Sequence, residues 1–483
     1  MKKVLAGLEP RRVFEIFETL SGVPHGSGNT KQVSDLCLSL MRERGLYAVQ
    51  DGFNNVIIKK PASPGYEDRP PVLLQAHLDM VCTKDPDYDI DMSRDPIKLV
   101  TDGKEVWADR TSLGADDMIG VACALALLDD PDAVHPPLEI LLTVDEETGM
   151  DGAAGFDPAL ISARRMINLD SEEEGVITAG CAGGLMMAGL LSLQRRRISA
   201  ASRFYRIEVS GLLGGHSGAE IDRERGNSNL IAARMLYELI EFSPRLVSFS
   251  GGTFDNVIPS KTEMTAAVPA QVREDELLAT FEKVSAGIKK EYRASEPGLR
   301  ITIEAAPASV SAVTEIDTWR VAATLFLLPN GVMHMNIELP GLVETSLSCG
   351  IVRLEGSALR FRTFIRSSSE ERKQALAERV KLTAALYGGT TTREGDFPAW
   401  QYNGASPLLY AVREAWRRYS GRDAKVFATH GGLECGILTD KLEGLDCVSI
   451  GPELHDIHSV NERLSVASVQ RLYGFLKEIL KSL

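Results

Sequence analysis

No stretch of this chain is long and apolar enough to cross a membrane. The longest strongly apolar run, residues 119–128, is flanked by aspartates and is about half the roughly 20 residues that a bilayer helix needs. No secretion signal is expected in the opening MKKVLAGLEPRRVFEIF, because Glu9, Arg11 and Arg12 break its apolar stretch before it could become a signal core. A cytoplasmic protein without a membrane partner is expected. Basic residues are in deficit, 53 against 67 acidic, and the net charge of -14 repels the phosphates of nucleic acid. The seven cysteines, Cys37, Cys82, Cys123, Cys181, Cys349, Cys435 and Cys447, are odd in number and contain no CxxC pair. That excludes a disulfide framework and a thiolate zinc knuckle, and leaves small buried hydrophobes as their expected role. There is no tandem repeat and no low-complexity tract; PASPGYEDRPP at 61–71 reads as a Pro-rich loop.

What is present is too much chain for one hydrophobic core, since 483 residues imply two domains or more. In the first third, helical periodicity at 11–20, 30–43 and 120–128 alternates with apolar strand-like runs at 72–75, 138–144 and 166–169. Such alternation argues for an α/β fold with a mostly parallel sheet covered by helices. From about residue 185 the texture changes to the two-residue period of half-exposed strands, in RFYRIEVSG, KTEMTAAVPA, 299–305 and 345–365. Helical stretches at 227–242, 272–290 and 370–387 lie between them. After about residue 400 the first texture returns, with a helix at 406–419 and the strand-like DCVSI at 446–450. A discontinuous domain of residues 1–186 and 400–483, interrupted by an inserted α+β domain of residues 187–399, is the simplest account.

Five short stretches carry the chemistry. In LLQAHLDMV, His77 and Asp79 leave the same face of an extended backbone, so Asp79 can accept the second ring N–H of His77 and orient its other nitrogen. In SLGADDMIG, the pair Asp116 and Asp117 opens an apolar helix. Asp is a good helix cap, but Asp116 could also give one oxygen to each of two cations roughly 3.5–4 Å apart. In LLTVDEETG, adjacent Glu146 and Glu147 suit a division of labour, with Glu147 on a metal and Glu146 taking the proton of an attacking water. MINLDSEEEG adds Asp170 at a strand end, and GPELHDIHS offers His455 and His458, between which spacing alone does not choose. One cation would take His77, Asp116 and Asp170, and the other Asp116, Glu147 and one of those histidines. Three ligand carboxylates against two divalent ions leave net positive charge to stabilise a hydroxide. Imidazole and carboxylate donors without thiolate favour Zn2+, with Co2+ or Mn2+ tolerated.

These motifs, with GLLGGHSG, GGTFDNVIP, LPNGV, VETSL and HGGLECG, run in order from about residue 72 to 462. On them the chain resembles the M20 metallopeptidase family and, within it, the aminoacyl-histidine (Xaa-His) dipeptidases. The resemblance implies a di-zinc catalytic domain and a lid formed by the inserted domain. It implies His458 rather than His455 as ligand, Asp116 as bridge, Asp79 behind His77 and Glu146 as general base. In the lid it points to His216, Asn256 and Arg362 as substrate contacts, with a homodimer in which His216 can serve the partner's site. Gly214 and Gly215 permit close backbone approach beside His216, and an Arg such as Arg362 can clamp a carboxylate with two bonds. Glu434, in GLECG, is open between meeting a substrate amino group and supporting the fold. The chain departs from many relatives at Met118, which follows Asp117, and at Val460, two residues after His458; neither change removes a ligand, but both segments shape the site wall.

The expected activity is metal-dependent hydrolysis of unblocked dipeptides, of Xaa-His or β-Ala-His type or more broadly. The competing activities are N-acyl amino-acid deacylation and tripeptide cleavage. A competitor of another class is a catalytically silent binding or regulatory homologue, whose mark would be a lost ligand or a lost Glu146; neither is seen.

Overall fold

Strands that are apolar at nearly every position must be covered on both faces, and the chain meets that demand with helices. The computed structural model describes residues 3–483. The chain folds into two compact units: residues up to Gly180 with Trp400–Ala428 and Leu433–Leu483, and Cys181–Ala399 with Thr429–Gly432. The strand Gly183–Ser192 belongs to the second unit's sheet and begins before the border near 186 that sequence texture suggests.

The first unit holds an eight-stranded sheet. Its four adjacent strands Leu138–Thr143, Val72–His77, Arg165–Asn168 and Asp446–Ser449 are mutually parallel. The parallel run stops there, because Val56–Lys60 and Tyr47–Gln50 on one flank pair antiparallel, as does Val176–Cys181 on the other. Leu138–Thr143 and Val72–His77 are buried at every position. Against the second of these packs the helix Ala115–Asp129, whose residues 117–128 are all buried. A helix apolar on every side belongs inside a core, and Gly120 shows how tightly: a Cβ there would stand 2.9 Å from Leu169 Cβ. The opening Asp116 and Asp117 do not cap this helix. Both have non-helical backbone angles and no side-chain cap bond forms.

The second unit is a nine-stranded antiparallel sheet whose long central hairpin is Val343–Glu355 with Ala358–Ser367. The helices Ser228–Glu238, Glu274–Glu291, Glu315–Leu327 and Glu370–Leu386 accompany it, and it has its own apolar core around Phe249, Phe281 and Phe361. Six of the cysteines are buried, as expected, but Cys82 is exposed. Among the described residues no helix is long and apolar enough to cross a membrane.

Candidate metal centre

The register of the parallel strands brings their carboxyl ends level, because His77 lies opposite Thr143 and Gln75 opposite both Leu141 and Asn168. His77 ends its strand, Glu146 and Glu147 follow the second, Asp170 follows the third, and His458 lies in the loop beyond the fourth. The crevice outside the carboxyl ends of such strands is where open α/β sheets place their ligands.

Three groups of potential donors form there: His77 with Asp116 and Asp170; Asp116 with Glu147 and His458; and His77 with Glu146 and Glu147. Asp116 faces both histidines, with Oδ1 3.2 Å from His77 Nε2 and Oδ2 3.1 Å from His458 Nε2. His77 Nε2 is also 3.4 Å from Asp170 Oδ1, and His458 Nε2 is 2.8 Å from Glu147 Oε1. Donors placed tetrahedrally about an ion with bonds of about 2.0–2.2 Å stand roughly 3.3–3.6 Å apart, so the separations about Asp116 and His77 come close to those of two cations sharing Asp116, while His458 and Glu147 stand at direct hydrogen-bond distance. His455 is elsewhere, exposed and 3.9 Å from Glu453.

Charge in this cluster is out of balance without cations. The His458 imidazolium is held up at about 10 by its bonds to Asp116 and Glu147. Burial alone would lower His77, yet the Asp170 charge and bonds to Asp116, Asp170 and Asp79 hold it well above its ordinary value. Burial pushes Glu146 up to about 8, with help from Glu434, Glu147 and Asp116 and against His77. Burial likewise raises Asp170. Protons thus do the work that cations would do better, which is the second sign that the donor set fits a metal pair.

Behind the donors lies a hydrogen-bonded layer, largely inaccessible to sequence reasoning. His77 Nδ1 is nearer the Asp79 carbonyl oxygen, at 3.1 Å, than the carboxylate, at 3.4 Å. The Asp79 carboxylate accepts from Ser27 Oγ and from the backbone N–H groups of Glu146 and Glu147, so it couples the two ligand segments. Fully buried Glu434 accepts at Oε2 from Gln75 and Thr143. Gln75 in turn accepts from Asn168 Nδ2, and Asn168 accepts the Asp170 N–H. Only the polar residues inside otherwise apolar strands, Gln75 and Asn168, signal this chain in the sequence.

The second unit contains the remaining candidates. His216 Nδ1 accepts the backbone N–H groups of Ala219 and Gly218, so a neutral ring carries its proton on Nε2. Burial first, and then the Arg366 charge, lower its basicity. Asn256 is exposed, and its backbone carbonyl accepts the Ser217 N–H beside His216. Arg362 is already engaged by Asp255 at 2.8 Å and Glu394 at 2.9 Å. Arg366, further along the same strand, carries no signal in the sequence that sets it apart. It is 6% exposed, and its guanidinium lies over the Phe364 ring and comes within 3.5 Å of His216 Nε2. Among the described residues no carboxylate pairs with it, and its Nε has no partner. Two donors converging without an acceptor form a place for an anion.

A profile of peptidase family M20/M25/M40 matches residues 73–482. Over 482 residues the chain is 36% identical to the cytosol non-specific dipeptidase of Escherichia coli (strain K12), with 99% of each sequence covered. Among solved structures, the aminoacylhistidine dipeptidase from Vibrio alginolyticus matches with a TM-score of 0.93 at 34% identity, over 99% of this chain and 98% of that one. An aminopeptidase from Bacillus cereus shares the fold, with a TM-score of 0.56 at 16% identity over 98% of this chain and 99% of its own.

Proposed function

The chain belongs to peptidase family M20/M25/M40 and is a hydrolase of peptide bonds, and from that premise we propose that it is a metal-dependent dipeptidase acting on unblocked dipeptides, Xaa-His and β-Ala-His types included. The observation that carries this is the sharing of Asp116 between two donor sets, one oxygen toward His77 and the other toward His458, with Glu146 in the adjoining group. The relatives named for dipeptide hydrolysis support the substrate class. The expected homodimer rests on family resemblance alone, and the cytosolic location on the name of the E. coli relative.

The donors His77, Asp116 and Asp170, and Asp116, Glu147 and His458, would hold two divalent ions, zinc first by their chemistry. Such ions supply Lewis acidity, polarising a peptide carbonyl and making water acidic enough to ionise near neutral pH. Glu146 accepts the water's proton on its carboxylate and passes it to the leaving amine nitrogen. Asp79 holds the His77 ring and the Glu146 backbone in one frame. His216 donates its Nε2–H to the carbonyl oxygen as that atom gains charge. Arg366, rather than the already neutralised Arg362, pairs with the substrate's terminal carboxylate, while Asn256 contributes an exposed polar contact. Glu434 supports the fold of the site through Gln75 and Thr143 on Oε2, and its buried Oε1, which has no partner, is left for a donor such as a substrate amino group.

The test is hydrolysis of β-Ala-His, Gly-His and Leu-Gly, with their N-acetyl forms and a tripeptide, by protein with zinc, with EDTA and as Glu146→Ala. Cleavage of the free dipeptides that disappears with chelator and falls roughly 10²–10⁴-fold in the variant is expected. Preference for N-acetyl substrates or tripeptides would replace the dipeptidase proposal by one of those activities.

A further inference from the structure

Glu462 lies four residues beyond His458 and is 2% exposed. Its Oε2 accepts the backbone N–H of Leu113 at 2.7 Å and of Gly114 at 3.1 Å, and its Oε1 accepts that of Ala115 at 2.9 Å. Three successive amides therefore converge on one buried carboxylate, a nest for an anion. Gly114 makes the convergence by adopting φ +70°, and a Cβ there would stand 2.7 Å from Met80 Sδ. The residue after Ala115 is Asp116.

The other end of the carboxylate is anchored to the segment bearing His458. Ser459 Oγ donates to the Asp456 carbonyl and accepts the Asn461 N–H, and the Glu462 N–H returns to the Ser459 carbonyl. His458 itself sits in the left-handed region at φ +60°, a conformation a histidine keeps only when its surroundings hold it. Its carbonyl accepts Thr83 Oγ1 at 3.1 Å. The short turn thus transmits the position of Glu462 to the histidine ring.

We propose that Glu462 is the positioning residue that sets Asp116 against His458, and so builds the donor set Asp116, Glu147 and His458. It touches no donor atom and acts only through backbone. The proposal rests on the metal-binding part of the function proposed above, not on the choice of substrate. Glu462→Gln keeps the size but turns an N–H toward amides that need an acceptor. Glu462→Asp keeps the charge and shortens the reach by one methylene. Leu464→Ala, a fully buried position in the short strand Arg463–Ser465 that directly follows Glu462, serves as a control that loosens the adjoining strand while leaving the three bonds in place.

The experiment is zinc titration of the metal-free full chain, followed by competition with a chromophoric chelator, with thermal unfolding of each variant measured alongside. The wild type should take up two equivalents. Glu462→Gln should keep the first and lose roughly 10–100-fold in affinity for the second, Glu462→Asp should fall between, and Leu464→Ala should lower the unfolding temperature with both affinities intact. If Glu462→Gln does not fold, Glu462→Asp carries the same comparison. Unchanged affinity in a folded Glu462 variant, or an equal loss in Leu464→Ala, overturns the positioning role. A wild-type chain that binds fewer than two ions would instead remove the metal proposal, and this inference with it.

Discussion

Loading the two donor sets with zinc at pH 7 should expel protons, about two per chain from His458 and Glu146 alone. In the metal-free protein His458 is held at about 10 by Asp116 and Glu147, and His77 is held well above its ordinary value by Asp170, Asp116 and Asp79 despite its burial. The His458 ring is therefore protonated at pH 7 and must give up its proton before Nε2 can bind a cation, and the acids around His77 oppose the loss of its proton in the same way. Glu146, pushed up to about 8 chiefly by burial, is about nine-tenths protonated at that pH and would be stripped by cations next to it. The same burial raises Asp170. Calorimetric titration with zinc in buffers of equal pH and different ionisation enthalpies reads the number as a slope. The linked consequence is an apparent affinity that strengthens from pH 6 to pH 7 by about tenfold for each proton released in the binding step. Glu147→Gln should lower the proton count by weakening the hold on His458. A slope below one proton, or an affinity indifferent to pH, would refute the idea that the imidazoles and carboxylates of this cluster exchange protons for metal.

Two further outcomes follow from the second unit. Arg366→Met should raise KM for dipeptides about 10–100-fold, the worth of a charge-assisted bond of about 1.5–3 kcal/mol, whereas Arg362→Met should leave KM nearly unchanged because its guanidinium serves Asp255 and Glu394; the reverse order would return the carboxylate role to Arg362. His430, 8% exposed and bonded through Nε2 to Ser346 Oγ, is pushed down to about 3, first by burial and then by the Arg366 charge. The unfolded chain therefore binds this proton near its ordinary value of 6.5 while the folded chain refuses it, so the stability this residue contributes is full above that value and is lost as pH falls toward 3. The slope from this residue is at most about 1.4 kcal/mol per pH unit. Denaturation midpoints at pH 5 and pH 7 should converge in His430→Gln; an unaltered difference would locate the acid sensitivity elsewhere.

Much of the framework is legible because its periods are strong. The apolar run of Val72–His77 and the helices Arg11–Ser21 and Glu370–Leu386 lie within a few residues of where hydrophobic spacing puts them. The helix Glu315–Leu327 escapes that kind of reading, and its composition explains why: Ile316, Phe326 and Leu327 are exposed while Asp317 and Thr318 are buried, so its pattern does not separate an inner from an outer face. The flanking strands that turn the parallel run into a mixed sheet are equally hidden, since strand direction depends on what a strand pairs with and not on its own residues.

By itself the sequence marked which residues could meet at the candidate centre, because His77, Glu147 and Asp170 sit at or just after apolar strands, whose ends emerge together, and Asp116 and His458 stand in acid- or histidine-bearing motifs at a helix start and in a loop. His77, Asp116, Glu147, Asp170 and His458 all come together there. Only the tertiary structure decided what surrounds them. Arg362 and Arg366 share one strand, Ala358–Ser367, and nothing local distinguishes them; acids arriving from Asp255 and Glu394 neutralise the first and leave the second without a carboxylate. The Glu462 carboxylate likewise finds its three amides at residues 113–115. The partners of a buried charge are chosen by folding rather than by neighbouring sequence, because only groups brought close in space can offset the cost of removing it from water.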